Sequence, residues 1–137
     1  MELSLHITDD EHLARYVFSP RHIDPLTHQL KANFIFLRPG ENDISFVRYD
    51  KAGHEYVVTK GNTLLRNQSL YALALGLTGD LRGISKSITI TADNENNPLH
   101  ASLRIIKDGG AVKGIVTDAY VQDLFEQILE QLHIMEL

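Results

Sequence analysis

The chain has 137 residues, 18 acidic against 13 basic side chains, a net charge of −5 and no cysteine. That length suits one domain able to bury a core without staples, and the missing thiols exclude disulfides and thiolate metal sites. The acidic balance argues against non-specific nucleic-acid binding, which needs cations clustered over phosphates. Apolar content is ordinary and no low-complexity tract signals disorder. Met1-Glu2-Leu3-Ser4-Leu5-His6 lacks the basic end and apolar run of a secretion signal. No stretch has the apolar length of a membrane span. Together these features lead us to expect a soluble cytoplasmic chain with one domain over residues 1–137.

In chain order, residues 3–7 alternate and read as a short strand. Thr8 and Glu11 have capping-box spacing, which predicts a short helix over 12–17, stopping before Pro20. Residues 19–29 read as irregular. The apolar run 33–37 reads as a buried strand, 38–43 as a turn, and 44–49 and 55–59 as strands, with Gly61-Asn62 as punctuation. Asn67 caps a predicted helix over 68–75, closed by Gly76.

Residues 85–93 and 99–106 alternate strictly around a turn-rich 93–98 and form a predicted hairpin. One face carries Ser85, Ser87, Thr89, Thr91, His100, Ser102 and Arg104; the other carries Ile84, Ile88, Ile90, Leu99, Ala101, Leu103 and Ile105. Asp108-Gly109-Gly110 is a tight-turn signal that adds a third strand over 112–117 to this meander. Asp118 caps a helix over 119–133, whose stripe is Val121, Leu124, Phe125, Ile128, Leu129 and Leu132. The order strands, helix, strands, helix predicts an α+β fold: a mostly antiparallel sheet with the C-terminal amphipathic helix on one face.

Three groups of residues hold candidate chemistry. Ser19, Arg21 and His22 share a loop, where functional residues concentrate, and a serine near a histidine can share a phosphate or place a base by a hydroxyl; the competing reading is a solvated element end. Lys31 and Arg48 suit a phosphate or carboxylate through charge-assisted bonds, or form exposed pairs with Asp43 or Asp50. Ser45 falls on the opposite strand face from Arg48. His100, Ser102 and Arg104 lie on one strand face as base, polar contact and anion clamp, or as a water-facing surface. The seven histidines have neither helical metal-ligand nor finger spacing, so neither a metal nor a cofactor is expected. No glycine loop suited to phosphate and no interleaved aromatic–basic sheet pattern is present.

The run from His12 through Ser19-Pro20-Arg21-His22, then Lys31, Phe34, Arg38-Pro39-Gly40, Ile44-Ser45-Phe46-Val47-Arg48 and His100-Ala101, resembles a group of small uncharacterised bacterial proteins. These share a Ser/His segment, a Ser-x-x-Arg strand and a late His-Ala strand. The likeness covers about half the chain, and the tryptophan-bearing segment usual in that group is missing here. It implies a bacterial origin and a convergence of Ser19, His22, Lys31, Arg48 and His100.

The expected function is that of an accessory or inhibitory binding protein acting through protein contacts. Its partner would be a protein, basic in character given the acidic chain, or a second copy docked on the apolar tail Leu132-His133-Ile134-Met135-Glu136-Leu137. The rival is a small phosphoester- or nucleotide-directed enzyme or sensor. It would use His22 and His100 as acid and base, with Lys31, Arg48 or Arg104 as the clamp and Ser19 or Ser102 as the orienting hydroxyl.

Overall fold

A computed structural model describes residues 4–31, 34, 35, 37, 40–64, 67–92, 96–114 and 118–137. In chain order the elements are β1 (His12–Ser19), β2 (Ile44–Arg48), α1 (Tyr49–Ala52), α2 (His54–Leu64), β3 (Ser69–Leu77), α3 (Thr78–Arg82), β4 (Ile88–Ala92), β5 (His100–Lys107), β6 (Gly110–Ala111), α4 (Ala119–Glu130) and β7 (His133–Glu136). The seven strands form one sheet in the order β4-β5-β2-β1-β3-β7, with β6 beside β5. Every pairing is antiparallel. The fold is α+β, as its pattern predicts.

The expected hairpin forms as β4 and β5, with Thr89 opposite Arg104 and Ile90 opposite Leu103. Asp108 and Gly109 turn the chain at positive φ, 54° and 81°, the backbone state that the Asp-Gly pair tolerates best. The third strand is shorter than expected: β6 covers only Gly110–Ala111, followed by a Val112 amide bond to the Ile105 carbonyl. Residues 115–117 lie outside the described set. Asp118 caps α4, accepting from the amides of Tyr120 (2.9 Å) and Val121 (3.2 Å). Val121, Leu124, Phe125 and Ile128 are buried, and each contributes about 1.5–3 kcal/mol at most by leaving water.

Three segments differ from their sequence reading. Residues 12–17 are strand, not helix. Glu11 does reach back to the Thr8 amide (2.9 Å), but the bond closes a turn, since the Glu11 amide donates to the Thr8 carbonyl. The chain then enters the sheet centre, where strands are covered on both faces and lose clean alternation. Residues 68–75 belong to β3 for the same reason. Its Leu/Ala run looks helical, yet Ala72 and Ala74 face the α4 side while Leu73 faces α2. Residues 55–59 are helix, not strand, and Gly61-Asn62 continues that helix. Its buried stripe is only Val57 and Gly61, so the apolar signal is interrupted at the glycine. A Cβ on Gly61 would meet the Tyr16 ring at 2.6 Å and Leu70 at 2.8 Å; the missing side chain is what lets α2 lie on the sheet.

Smaller departures are local. Residues 4–7 of the expected first strand are irregular, and Phe34 and Ile35 are buried turn residues rather than strand. Residues 33, 36, 38 and 39 lie outside the described set, as do 93–95 of the hairpin turn. The apolar tail forms β7, an edge strand that pairs with β3 from Ala72–Glu136 to Leu75–His133 and leaves Ile134 and Leu137 exposed.

One end of the sheet is tied by a buried ion pair. Arg48 has no exposure and Glu11 is 4% exposed. Arg48 Nε donates to Glu11 Oε1 (2.9 Å) and Nη2 to Glu11 Oε2 (3.1 Å). Nη1 donates to the carbonyls of Ser4 (2.6 Å) and Pro98 (3.0 Å), and Nη2 also reaches the His6 carbonyl at 3.5 Å. The Glu11 carbonyl takes both the amide and the hydroxyl of Thr78, itself fully buried. Burial pushes the Glu11 carboxyl up. The Arg48 guanidinium and the Thr8 amide outweigh that and hold it below its ordinary 4.5.

Two predictions follow from this packing. Glu11→Gln leaves a buried guanidinium without its counter-charge and destabilises the fold by about 3–5 kcal/mol at neutral pH, measured by urea denaturation. Because the folded-state pKa of Glu11 is depressed, its stabilisation is present above 4.5 and is lost as pH falls through the folded value; Glu11→Gln removes that acid-side component. Gly61→Ala forces methyl against ring and lowers stability by about 1–3 kcal/mol, against at most about 1 kcal/mol gained from helix propensity. A raised melting temperature in Gly61→Ala would contradict the close approach.

Candidate functional site

β1 pairs with β3 along its whole length but with β2 only at Leu13–Arg48 and Ala14–Val47. Past that point β2 diverges, and the gap is bridged by Arg15. Its Nε donates to the Phe34 carbonyl (3.0 Å) and Nη1 to the Ser45 carbonyl (2.9 Å). The guanidinium lies 5.4 Å from the Phe34 ring centre, a cation–π distance. Arginine suits this place because its planar fork satisfies a strand carbonyl and a turn carbonyl at once.

A 210 Å³ pocket opens at this fork. Arg15, Tyr16 and Phe18 line it from β1, Arg21 and His22 from the following loop, Ser45 from β2 and Leu64 from the end of α2. Its described lining includes two arginines and no carboxylate, in a chain of net charge −5. Tyr16 donates to the Val57 carbonyl (2.8 Å), and burial, with a smaller push from Tyr56, raises its hydroxyl to about 12. It therefore remains a neutral donor. A larger, 680 Å³ depression lies on the outer side of α1 and α2. It is a wide surface hollow lined by one helix and its preceding turn, including both Glu55 and Lys60.

His22 is 7% exposed. Its Nδ1 accepts from the Phe18 amide (3.1 Å), its own amide donates to the Phe18 carbonyl and its carbonyl accepts from the Lys31 amide. The ring packs against Phe18 and Phe34, with centres 5.8 and 5.5 Å away. The Nδ1 lone pair is thus committed, and the neutral ring carries its proton on Nε2. Ser19 closes β1 opposite Ser69 and precedes a cis Pro20. Lys31 is exposed. Ser19, Arg21, His22 and Lys31 therefore share one end of the sheet.

Arg48 lies at the other end, where all five of its N–H groups are taken up inside the protein. It is neither an exposed pair with Asp43 or Asp50 nor a clamp facing solvent. His100 starts β5 opposite Val47, which lies opposite Ala14. His22 is bonded to Phe18, further along β1. Strand spacings separate the two histidine backbones by on the order of 15 Å, so the structure does not bring them together. Ser102 is buried and donates to Asp43 (2.8 Å). Arg104 is half-buried, its Nη1 3.4 Å from the Thr91 hydroxyl. Ser85 and Ser87 turn their hydroxyls toward Tyr120 rather than extending the polar face.

The residue that sequence reasoning missed is Arg15. Reading 12–17 as helix hid it; as a strand, the segment sets Arg15 on the same face as the buried Leu13 and Val17, and a cation between two core residues marks a special position. Among the described residues, no three His, Asp or Glu side chains gather as a metal cluster would. No helix among them is long and apolar enough to cross a membrane.

No protein family, curated protein or solved structure matches the chain. His22→Ala would strand the Phe18 amide and open the Phe18–Phe34 contact, lowering stability by about 1–3 kcal/mol in thermal or urea unfolding. A change within about 0.5 kcal/mol would contradict this structural role.

Proposed function

We propose that this chain is a bacterial cytoplasmic accessory or inhibitory protein that acts by non-catalytic protein contact, with the uncovered half of its sheet as the docking face. The observation that carries the reading is uneven coverage. α4 and the buried turn at Phe34 and Ile35 pack on one face. On the other face, Val57 of α2 packs with Ala14 and Leu73, joined by Val47, Leu75 and Met135, a cover over β1, β2, β3 and β7.

On that same face beyond β2, Thr89 stands opposite Arg104, Thr91 opposite Ser102, and Ser102 opposite Ser45. Thr91 and Ser45 are exposed, and Thr89, His100 and Arg104 are half-buried. A hydroxyl-rich strand surface of this kind, exposed at Thr91 and Ser45 and buried only at Ser102, suits a macromolecular partner better than a small substrate, which favours concave sites. Non-catalytic binding is favoured further by the commitments of the candidate groups: His22 Nδ1 to a backbone amide, Arg48 to Glu11 and carbonyls, and Ser102 to Asp43. The net charge of −5 favours a basic partner over a second copy.

The test is affinity capture from the native host with the tagged chain and with Thr91→Arg, which adds bulk and a like charge toward a basic partner. The wild type is expected to retain a stoichiometric partner that Thr91→Arg binds roughly tenfold more weakly, while His22→Gln retains it. No partner, or equal retention by Thr91→Arg, would contradict the proposal.

A further inference from the structure

We propose that the fork between β1 and β2 is a second site, which binds the phosphoryl group of a small ligand between the guanidinium groups of Arg15 and Arg21. The pocket inverts the charge of its host. Among its described residues two arginines and a histidine line it and no carboxylate does, although acidic residues outnumber basic ones in the chain. Two fixed positive charges match a dianion better than a carboxylate, and forked guanidinium donors match tetrahedral phosphate oxygens in geometry.

Arg15 is already held in place by the Phe34 and Ser45 carbonyls, so little of its rotamer freedom remains to be lost on binding. The Arg21 backbone is likewise anchored, its amide donating to Gln68 Oε1 (2.8 Å). Because His22 Nδ1 accepts the Phe18 amide, its neutral ring can offer an anion only a donor, at Nε2. At 210 Å³ the cavity falls below the roughly 300–1,000 Å³ usual for whole drug-sized ligands. It admits a phosphoryl group while the rest of the ligand lies outside. The shared chemistry is that of free phosphate and of a phosphate monoester.

The experiment is calorimetric titration of the full chain with inorganic phosphate, methyl phosphate and acetate at matched ionic strength, with amide NMR spectra recorded alongside. Saturable binding of either phosphate, with shifts at the Phe18, Arg21 and Ser45 amides and weaker binding of acetate, is expected. Which of the two phosphates binds more tightly identifies the source, free phosphate or monoester. Arg21→Gln should weaken phosphate roughly tenfold or more, as loss of a charge-assisted bond does, and Arg104→Gln, on the open sheet face, should leave it unchanged. Ser45→Asp, at an exposed strand position, places a carboxylate at the pocket and should abolish binding even if Arg21→Gln proves poorly folded. Absence of saturable phosphate binding, acetate binding as tight as phosphate, or full affinity retained in Ser45→Asp would overturn the proposal.

Discussion

A guanidinium shut away from solvent persists only where each of its five N–H groups meets an acceptor and its charge meets a counter-charge. Arg48 is in that position. Its acceptors come from parts of the chain far apart in sequence: Ser4 and His6 near the N-terminus, Glu11 at the mouth of β1 and Pro98 before β5. Glu11 passes the constraint on to Thr78, at the junction of β3 and α3. Breaking such a pair is far more damaging than never having it, so any rearrangement that moves one of these segments strands a buried charge. The ends of β1, β2 and β3 and the start of β5 are held in common register by this one residue and its partners.

With that end fixed, the opposite end is where the sheet can open. β1 and β2 share two residue pairs and then part, and Arg15 fills the gap with a second, half-buried guanidinium. The two arginines play opposite parts. Arg48 is enclosed by acceptors and is structural. Arg15 bridges two strands and borders a concavity, so its charge is felt there. The cover of α2 stops over β1, β2, β3 and β7 because its buried stripe is only Val57 and Gly61. That short stripe leaves the hydroxyl face of β4 and β5 without a helix of its own, exposed at Thr91 and half-buried at Thr89 and Arg104, with Ser45 common to the pocket and this strip.

The outer elements were legible in the sequence and the central ones were not, for one physical reason. β4, β5 and α4 each keep one largely polar face, so their polar–apolar periodicity survives in the residues, as in Thr89/Ile90 or Val121/Leu124/Phe125. β1 and β3 are covered on both faces, and α2 grips the sheet through a glycine; in these, packing overrides local propensity. The Thr8–Glu11 signal was a real hydrogen bond with the wrong sequel, because the bond closes a turn as readily as a helix. Of the candidate site residues, Arg21, His22 and Ser45 do line one pocket. Arg15 was hidden by the helical reading of its strand, and the pairing of Arg48 with Glu11, 37 residues away, has no local signature.

The central claim is that Arg48 is locked inside the fold by its partners, and hydrogen exchange at its Nε–H tests this most directly. Followed by NMR at neutral pH, that proton should exchange only through large-scale unfolding, with protection matching the slowest backbone amides of β1 and β3, while the Nε–H of half-exposed Arg104 exchanges quickly. Exchange of Arg48 Nε–H as fast as that of Arg104 would mean that the guanidinium samples solvent, and would contradict the account.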